Sequence, residues 1–160
     1  MAVDMFLKLD GIKGESKDAK HKDEIQIDSF SWGMTNTGTG GFGGGSGAGK
    51  VDVHNITVTK VLDKASCDLM LACCNGKHIP QGLITVRKAG ENPLEYLKIT
   101  LQDILIAGVA HNGSTGVELV SETVTLNFSK FKVEYQEQKP DGSGSPAGQM
   151  AWDIKANAKF

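Results

Sequence analysis

Residues 94–106 read LEYLKITLQDILI. Leu97, Ile99 and Leu101 occupy alternate positions, as in a strand with one buried face. After Gln102 the apolar set changes phase to Ile104 and Ile106. A one-residue phase change inside a strand marks a β-bulge or a sharp bend. The same break recurs where Val120, Val124, Leu126 and Phe128 give way to Phe131, Val133 and Tyr135. Two bends of this kind in long strands predict a sheet that curls on itself, hence a mainly β barrel or tightly folded sandwich.

Outward from that stretch the alternation continues. Residues 3–9 predict a strand with Val3, Met5, Leu7 and Leu9 on one face and Asp4, Phe6 and Lys8 on the other. Residues 24–34 predict a second, with Ile25 and Ile27 opposite Phe30 and Trp32, and residues 51–62 a third. The last strand is expected over residues 150–160, with Met150, Trp152, Ile154, Ala156, Ala158 and Phe160 facing the core. One helix is expected within residues 63–75, capped by Asp63 or Ser66, ended by Gly76, and packed through Leu69, Met70 and Cys73. The stretch DGIKGESKDAKHKDE, residues 10–24, is polar and glycine-punctuated, so it reads as a solvated connecting loop.

The run GTGGFGGGSGAGK, residues 38–50, carries the spacings GxGxxG and GxxxxGK of phosphate-binding loops. A phosphate loop needs a helix N-terminus immediately after it, to add its dipole to the anion site. Here VDVHNITVTKV follows, β-branched and strand-like, and Val51 stands where a Mg²⁺-binding hydroxyl belongs. The run therefore reads as a contact loop in preference to a nucleotide site. The expected contact residues are Thr37, Gly38, Thr39, Gly40, Gly41, Phe42, Gly43, Gly44, Gly45, Ser46, Gly47 and Ala48, with Phe42 as the one bulky apolar anchor.

A chain of 160 residues with net charge −2 fits one domain and offers no basic footprint for nucleic acid. Cys67, Cys73 and Cys74 lack ligand spacing and read as reduced, small packing residues. Asp4 and Lys8 interrupt the apolar core a signal peptide needs, and no stretch is long enough to span a membrane. His21, His54, His78 and His111 are scattered without ligand spacing and read as solvated or locally bonded. Ser46 has no GxSxG elbow. No catalytic, metal or cofactor constellation emerges.

Several blocks together resemble the haemolysin-coregulated protein (Hcp) family, the inner-tube proteins of bacterial type VI secretion systems. They are MAVDMFLKLDGIKGESKD at 1–18, FSWGM at 30–34, GAGK at 47–50, LMLACCNGKH at 69–78, ITVRKAG at 84–90 and TLNFSKFKVEYQ at 125–136. The resemblance covers the chain in order and weakens in the glycine run, in residues 107–117 and in residues 139–149. It implies a closed β-barrel of two antiparallel sheets with one flanking α-helix, formed by residues 1–160 as a single domain. It further implies homohexameric rings with a wide lumen, stacked into a tube inside a contractile sheath, with the spike and effectors as partners. The protein would be made in the cytoplasm and exported folded, without catalysis, since no toxin domain follows Phe160. Small Ser29 and Ser31, opposite Phe30 and Trp32, are candidate lumen residues for an effector; an ordinary subunit contact is the competing role. A small-ligand or nucleotide-binding barrel using the glycine run and Lys50 is the alternative, and a hydrolase built on His and Asp is disfavoured.

Overall fold

The computed structural model describes residues 2–38 and 48–160, so nine of the expected contact residues, 39–47, lie outside the described residues. The chain is mainly β, in two antiparallel sheets with a single helix among the described residues. The larger sheet is organised by two adjoining long strands, β7 (His78–Lys88) and β8 (Leu94–Ser114). On the far side of β7 lie β1 (Val3–Leu9) and then β2 (Ile25–Ile27).

Strand β8 changes partner along its length. Its first part pairs on one side with β7 and on the other with β10 (Lys130–Gln138), through Gln102. From Leu105 onward it pairs with β9 (Val117–Asn127). Asp103 stands between the two regimes with φ 55°, a left-handed conformation that Asp tolerates better than most residues. The phase change read at Gln102 is this bend, and a further register shift follows between Ile106 and Gly108. The second phase change is sharper than a bulge: β9 ends at Asn127 and β10 begins at Lys130. Phe128 and Phe131 flank that corner and pack edge-to-face with Trp32, ring centroids 5.9 and 4.9 Å from the indole.

Several expectations need correction. Residues 24–34 do not form one strand: β2 gives way at Asp28 to β3 (Ser29–Ser31), whose amide partner is β6 (Ile56–Val61). The phase slips there, so Ile25, Ile27, Phe30 and Trp32 all pack on the core, whereas strict alternation had put them on opposite faces. Residues 51–62 likewise divide, with β5 (Ala48–Val53) and β6 separated at His54 and Asn55. At the C-terminus the strand begins earlier and ends earlier than expected, as β11 (Gly144–Asp153). Asp153 then accepts the Ala156 N–H, the chain turns through Asn157 at φ 52°, and Ala158–Lys159 return as β12 on the edge of β11. Trp152 and Ile154 are consequently half-buried, not fully enclosed.

The core lies on the inner face of this sheet. Leu7, Ile25, Ile56, Val58, Ile84, Leu101, Ile104, Val124 and Leu126 have no solvent exposure. Burying side chains of this size stabilises the fold by about 1.5–3 kcal/mol each. Helix α1 (Ser66–Asn75) closes one side of it, with Leu69 and Ala72 buried. Met70, expected in that stripe, is exposed, as are Cys67 and Cys74, and Cys73 is half-buried. At the helix start Asp63 Oδ1 accepts the Ala65 N–H and Ser66 Oγ accepts the Asp63 N–H, while Gly76 at φ 68° ends the helix in a left-handed cap.

Candidate functional site

The outer face of strands β3, β6, β9 and the end of β8 carries small neutral side chains in register. Pairing places Ser29 beside Thr59, Thr123 and Ala110 in one cross-strand row. Ser31, Thr57, Thr125 and Gly108 form the next row. The reason is the local sequence: the TVT triplets at 57–59 and 123–125 alternate hydroxyl and apolar, and Val58 and Val124 are fully buried beneath them. Ser29 Oγ lies 2.5 Å from Thr59 Oγ1, and beyond the second row Asn127 Nδ2 donates to Asn55 Oδ1 at 2.9 Å. Sequence reading reached Ser29 and Ser31 but missed the four threonines. The repeated TVT triplet was the available signal; only the register shows that the two copies adjoin.

Beside this face stands a two-stranded sheet made of β4 (Met34–Gly38) and β5, which among the described residues pair only with one another. Its base is fastened by His54 N–H to the Gly33 carbonyl at 3.0 Å and by Trp32 Nε1–H to the His54 carbonyl at 3.0 Å. Asn36 Nδ2 ties the strands together through the Gly49 carbonyl at 2.6 Å. Of the expected contact residues, Thr37, Gly38 and Ala48 are the strand ends that carry residues 39–47. Lys50 lies within strand β5 and is exposed, and no helix N-terminus follows it. A phosphate loop requires a helix N-terminus at that point, and the chain there continues as strand to Val53.

The histidines are locally bonded, but not all as expected. His78 Nδ1 sits 2.7 Å from Asp103 Oδ1, and Ser129 Oγ donates to Asp103 Oδ2 at 2.7 Å. These three residue types form a nucleophile site only when serine bonds to histidine; here the carboxylate is the hub and Ser129 has no base. Hydrogen bonds from Ser129, His78 and Lys155 hold the Asp103 carboxyl well below its usual range, at about 2. The arrangement braces the bend of β8. His111 Nε2 lies 2.5 Å from Glu122 Oε2, a carboxylate with no solvent exposure. The other Glu122 oxygen meets Lys60 Nζ at 2.5 Å, and Lys60 is also 2.9 Å from Asp63. Burial pushes the Glu122 carboxyl up, but the hydrogen bonds from Lys60 and His111 and the Lys60 charge together hold it below the ordinary glutamate range. His54 is exposed, 3.9 Å from Asp52. His21 departs most from expectation, being buried in the segment read as solvated.

Among the described residues no group of three His, Cys, Asp or Glu is placed to hold a metal ion, and no helix is long and apolar enough to cross a membrane. What the molecule presents is a neutral hydroxyl face, an arm beside it and bracing ion pairs within the frame.

The chain is 51% identical to the protein hcp1 of Pseudomonas aeruginosa over 99% of both sequences. Its fold matches the crystal structure of Hcp1 from Salmonella typhimurium, with a TM-score of 0.82 at 43% identity and complete coverage of both chains. A solved type six secretion system protein matches with a TM-score of 0.94 at 26% identity, over 99% of this chain and 100% of that one. The family model described as "Type VI secretion system effector, Hcp" matches residues 6–135. The chain belongs to the Hcp family of type VI secretion system proteins.

Proposed function

We propose that six copies of this chain close into a ring, that rings stack into the inner tube of a type VI secretion system, and that effectors ride against the face carrying Ser29 and Ser31. The observation that carries this reading is the hydroxyl face itself. Eight positions in two rows across four strands bear Ser, Thr, Gly or Ala, in a chain whose charged residues make up 22% of the whole. Small neutral side chains leave room for a protein passenger and oppose neither sign of charge. The β4–β5 arm and residues 39–47 supply the contact to a neighbouring subunit or ring. Such heterologous contacts propagate a stack without closing it.

Residues 1–160 act in this reading as one domain with a closed barrel. Closure is supported by the strand route: β8, β7, β1 and β2, then across Asp28 to β3, β6, β9 and back to β8. The Asp28 N–H donates to the Thr59 carbonyl at 2.7 Å, so the two short strands bridge the route. The role is structural, without catalysis or cofactor. The protein is made in the bacterial cytoplasm and exported folded, with sheath, spike and effectors as its partners.

Native mass spectrometry of the purified chain tests the ring: a discrete six-copy species is expected, and a monomer alone rejects it. Ser31→Gln, which places a long amide on the neutral face, should leave that species intact while reducing effector retention severalfold in a pull-down. A ring broken by Ser31→Gln instead assigns Ser31 to the subunit contact.

A further inference from the structure

Helix α1 turns a stripe of uncharged side chains to solvent. Cys67, Met70, Leu71 and Cys74 are all exposed, Met70 by 42% and Leu71 by 61%. Their spacing of i, i+3, i+4 and i+7 puts them on one face across two turns. The opposite face buries Leu69 and Ala72, with Cys73 packed against the core at the boundary. Of the ten residues in the helix only Asp68 is charged, and it stands to one side of the stripe. A cleft of about 150 Å³ runs along that side, bounded by Ile12, Asp68, Leu71 and Asn75.

These thiols have no disulfide partner within their own chain. A disulfide needs its Cα atoms roughly 4.4–6.8 Å apart. Cys67 and Cys74 are separated by about 10.5 Å along the helix axis, and Cys67 and Cys73 by about 9 Å. Adjacent Cys73 and Cys74 have Cα atoms only about 3.8 Å apart and point about 100° away from each other around the helix. The sequence has no other cysteine. A disulfide at α1 therefore has to join two copies, and the stripe is its own complement. Turned end for end about a point midway between Met70 and Leu71, it presents Cys67 to Cys74 of a second copy and Met70 to Leu71. Helices packed about 8–10 Å apart bring facing Cα atoms to within about 5 Å, inside the disulfide window.

We propose that the exposed face of α1 is a redox-dependent two-fold contact between two copies of this chain, closed by two disulfides that each link Cys67 of one copy to Cys74 of the other. The oxidant is a low-molecular-weight disulfide. The Cys67 thiolate attacks one of its sulfurs, forming a mixed disulfide and expelling one small thiol; Cys74 of the second copy then attacks the Cys67 sulfur and expels the other. Each bond formed oxidises two protein thiols and reduces one small disulfide to two thiols, which carry away the protons. Without the bonds the contact is weak. Four side chains a side bury far less than the roughly 1,200 Å² at which stable interfaces begin, and Lys64 of one copy comes opposite Lys77 of the other. Met70, flexible and unbranched, has room to settle into the cleft beside Leu71 of the second copy. The inference stands apart from the ring reading, because an isologous contact of this kind joins two rings or two free chains alike.

The test is to oxidise the folded full chain with oxidised glutathione, block the remaining thiols by alkylation, and run a non-reducing denaturing gel beside an intact-mass measurement. The gel reads the covalent link whether the chain is free or in a ring. Wild type should become a covalent dimer that dithiothreitol returns to monomer, and Cys73→Ala should dimerise equally. Cys67→Ser alone and Cys74→Ser alone should both lose the dimer, because each retains only thiols that face a serine. Mixing the two variants should restore it, since the Cys74 kept by one chain meets the Cys67 kept by the other. Circular dichroism of each variant before oxidation checks that it is folded. A dimer undiminished in either single variant overturns the proposal, as does a mixture of the two that stays monomeric. So does a wild type that gains only the mass of bound glutathione without dimerising.

Discussion

Lys60 would ordinarily be assigned to the surface, since lysines are almost never fully buried unless paired. It is 1% exposed, on the inner face of β6 in line with Ile56 and Val58. The register puts it directly opposite Glu122, and Glu122 directly opposite His111. Removing one member of such a pair leaves the other charge uncompensated in the interior. Glu122→Gln should therefore lower stability by about 3 kcal/mol, at the low end of what breaking a buried pair costs, because Asp63 remains beside Lys60. Urea denaturation measures this. The acid side follows from the same residue. Glu122 is held below its unfolded value, so its contribution is complete above the ordinary glutamate pKa of about 4.3 and fades as pH falls through the folded value. Between about pH 5 and pH 3 the wild-type urea midpoint should fall more steeply than that of Glu122→Gln. Parallel slopes would show that Glu122 is not the titrating group.

At the scale of elements, the arm and residues 14–24 are both additions to the sheet, held in different ways. Among the described residues the arm's hydrogen bonds lie within itself and at its base, so residues 37–48 should be removable. Replacing residues 37–48 by a tight two-residue turn is expected to leave the thermal midpoint within a few degrees of wild type while abolishing or weakening ring formation in native mass measurements. Unchanged assembly would free the arm of any contact role. Residues 14–24, which Arg87 and Glu95 hold to the sheet through Asp18 and His21, are less forgiving at their start. A Cβ on Gly14 would lie 2.5 Å from the Glu24 carbonyl oxygen and 2.7 Å from Ile25 Cα, both backbone atoms. Gly14→Ala should therefore loosen the segment, seen as faster amide exchange over residues 14–24 than in the wild type.

These elements also show what a sequence makes legible. The bend at Asp103 was visible because a strand's side chains repeat every second residue, and one slip displaces every later one. The helix boundary at Gly76 was visible because a left-handed cap favours glycine. The division at Asp28 was not, since a three-residue strand is too short to establish a phase. Burial of Ser16 and His21 within residues 14–24 could not be read either. The segment is polar throughout, and the side chains that hold it, Arg87 and Glu95, lie about seventy residues further along the chain. Only two of the eight positions of the hydroxyl face were legible for the same reason: Ser29 and Ser31 adjoin one another, whereas Thr57 and Thr123 meet through register alone.

Across the whole molecule, strand β8 belongs to three ladders at once, with β7, β9 and β10. Its 21 residues share hydrogen bonds along both flanks for part of their length. By contrast β12 holds β11 through two residue pairs at the sheet's margin. This makes the fold mechanically anisotropic. Tension applied along β8 has to shear three ladders together, with the load shared among many bonds, while tension applied at Phe160 peels β12 and then β11 one bond at a time. A subunit gripped through β8 would withstand abrupt axial loading, and the same subunit pulled from its C-terminus would unravel at a small fraction of that force.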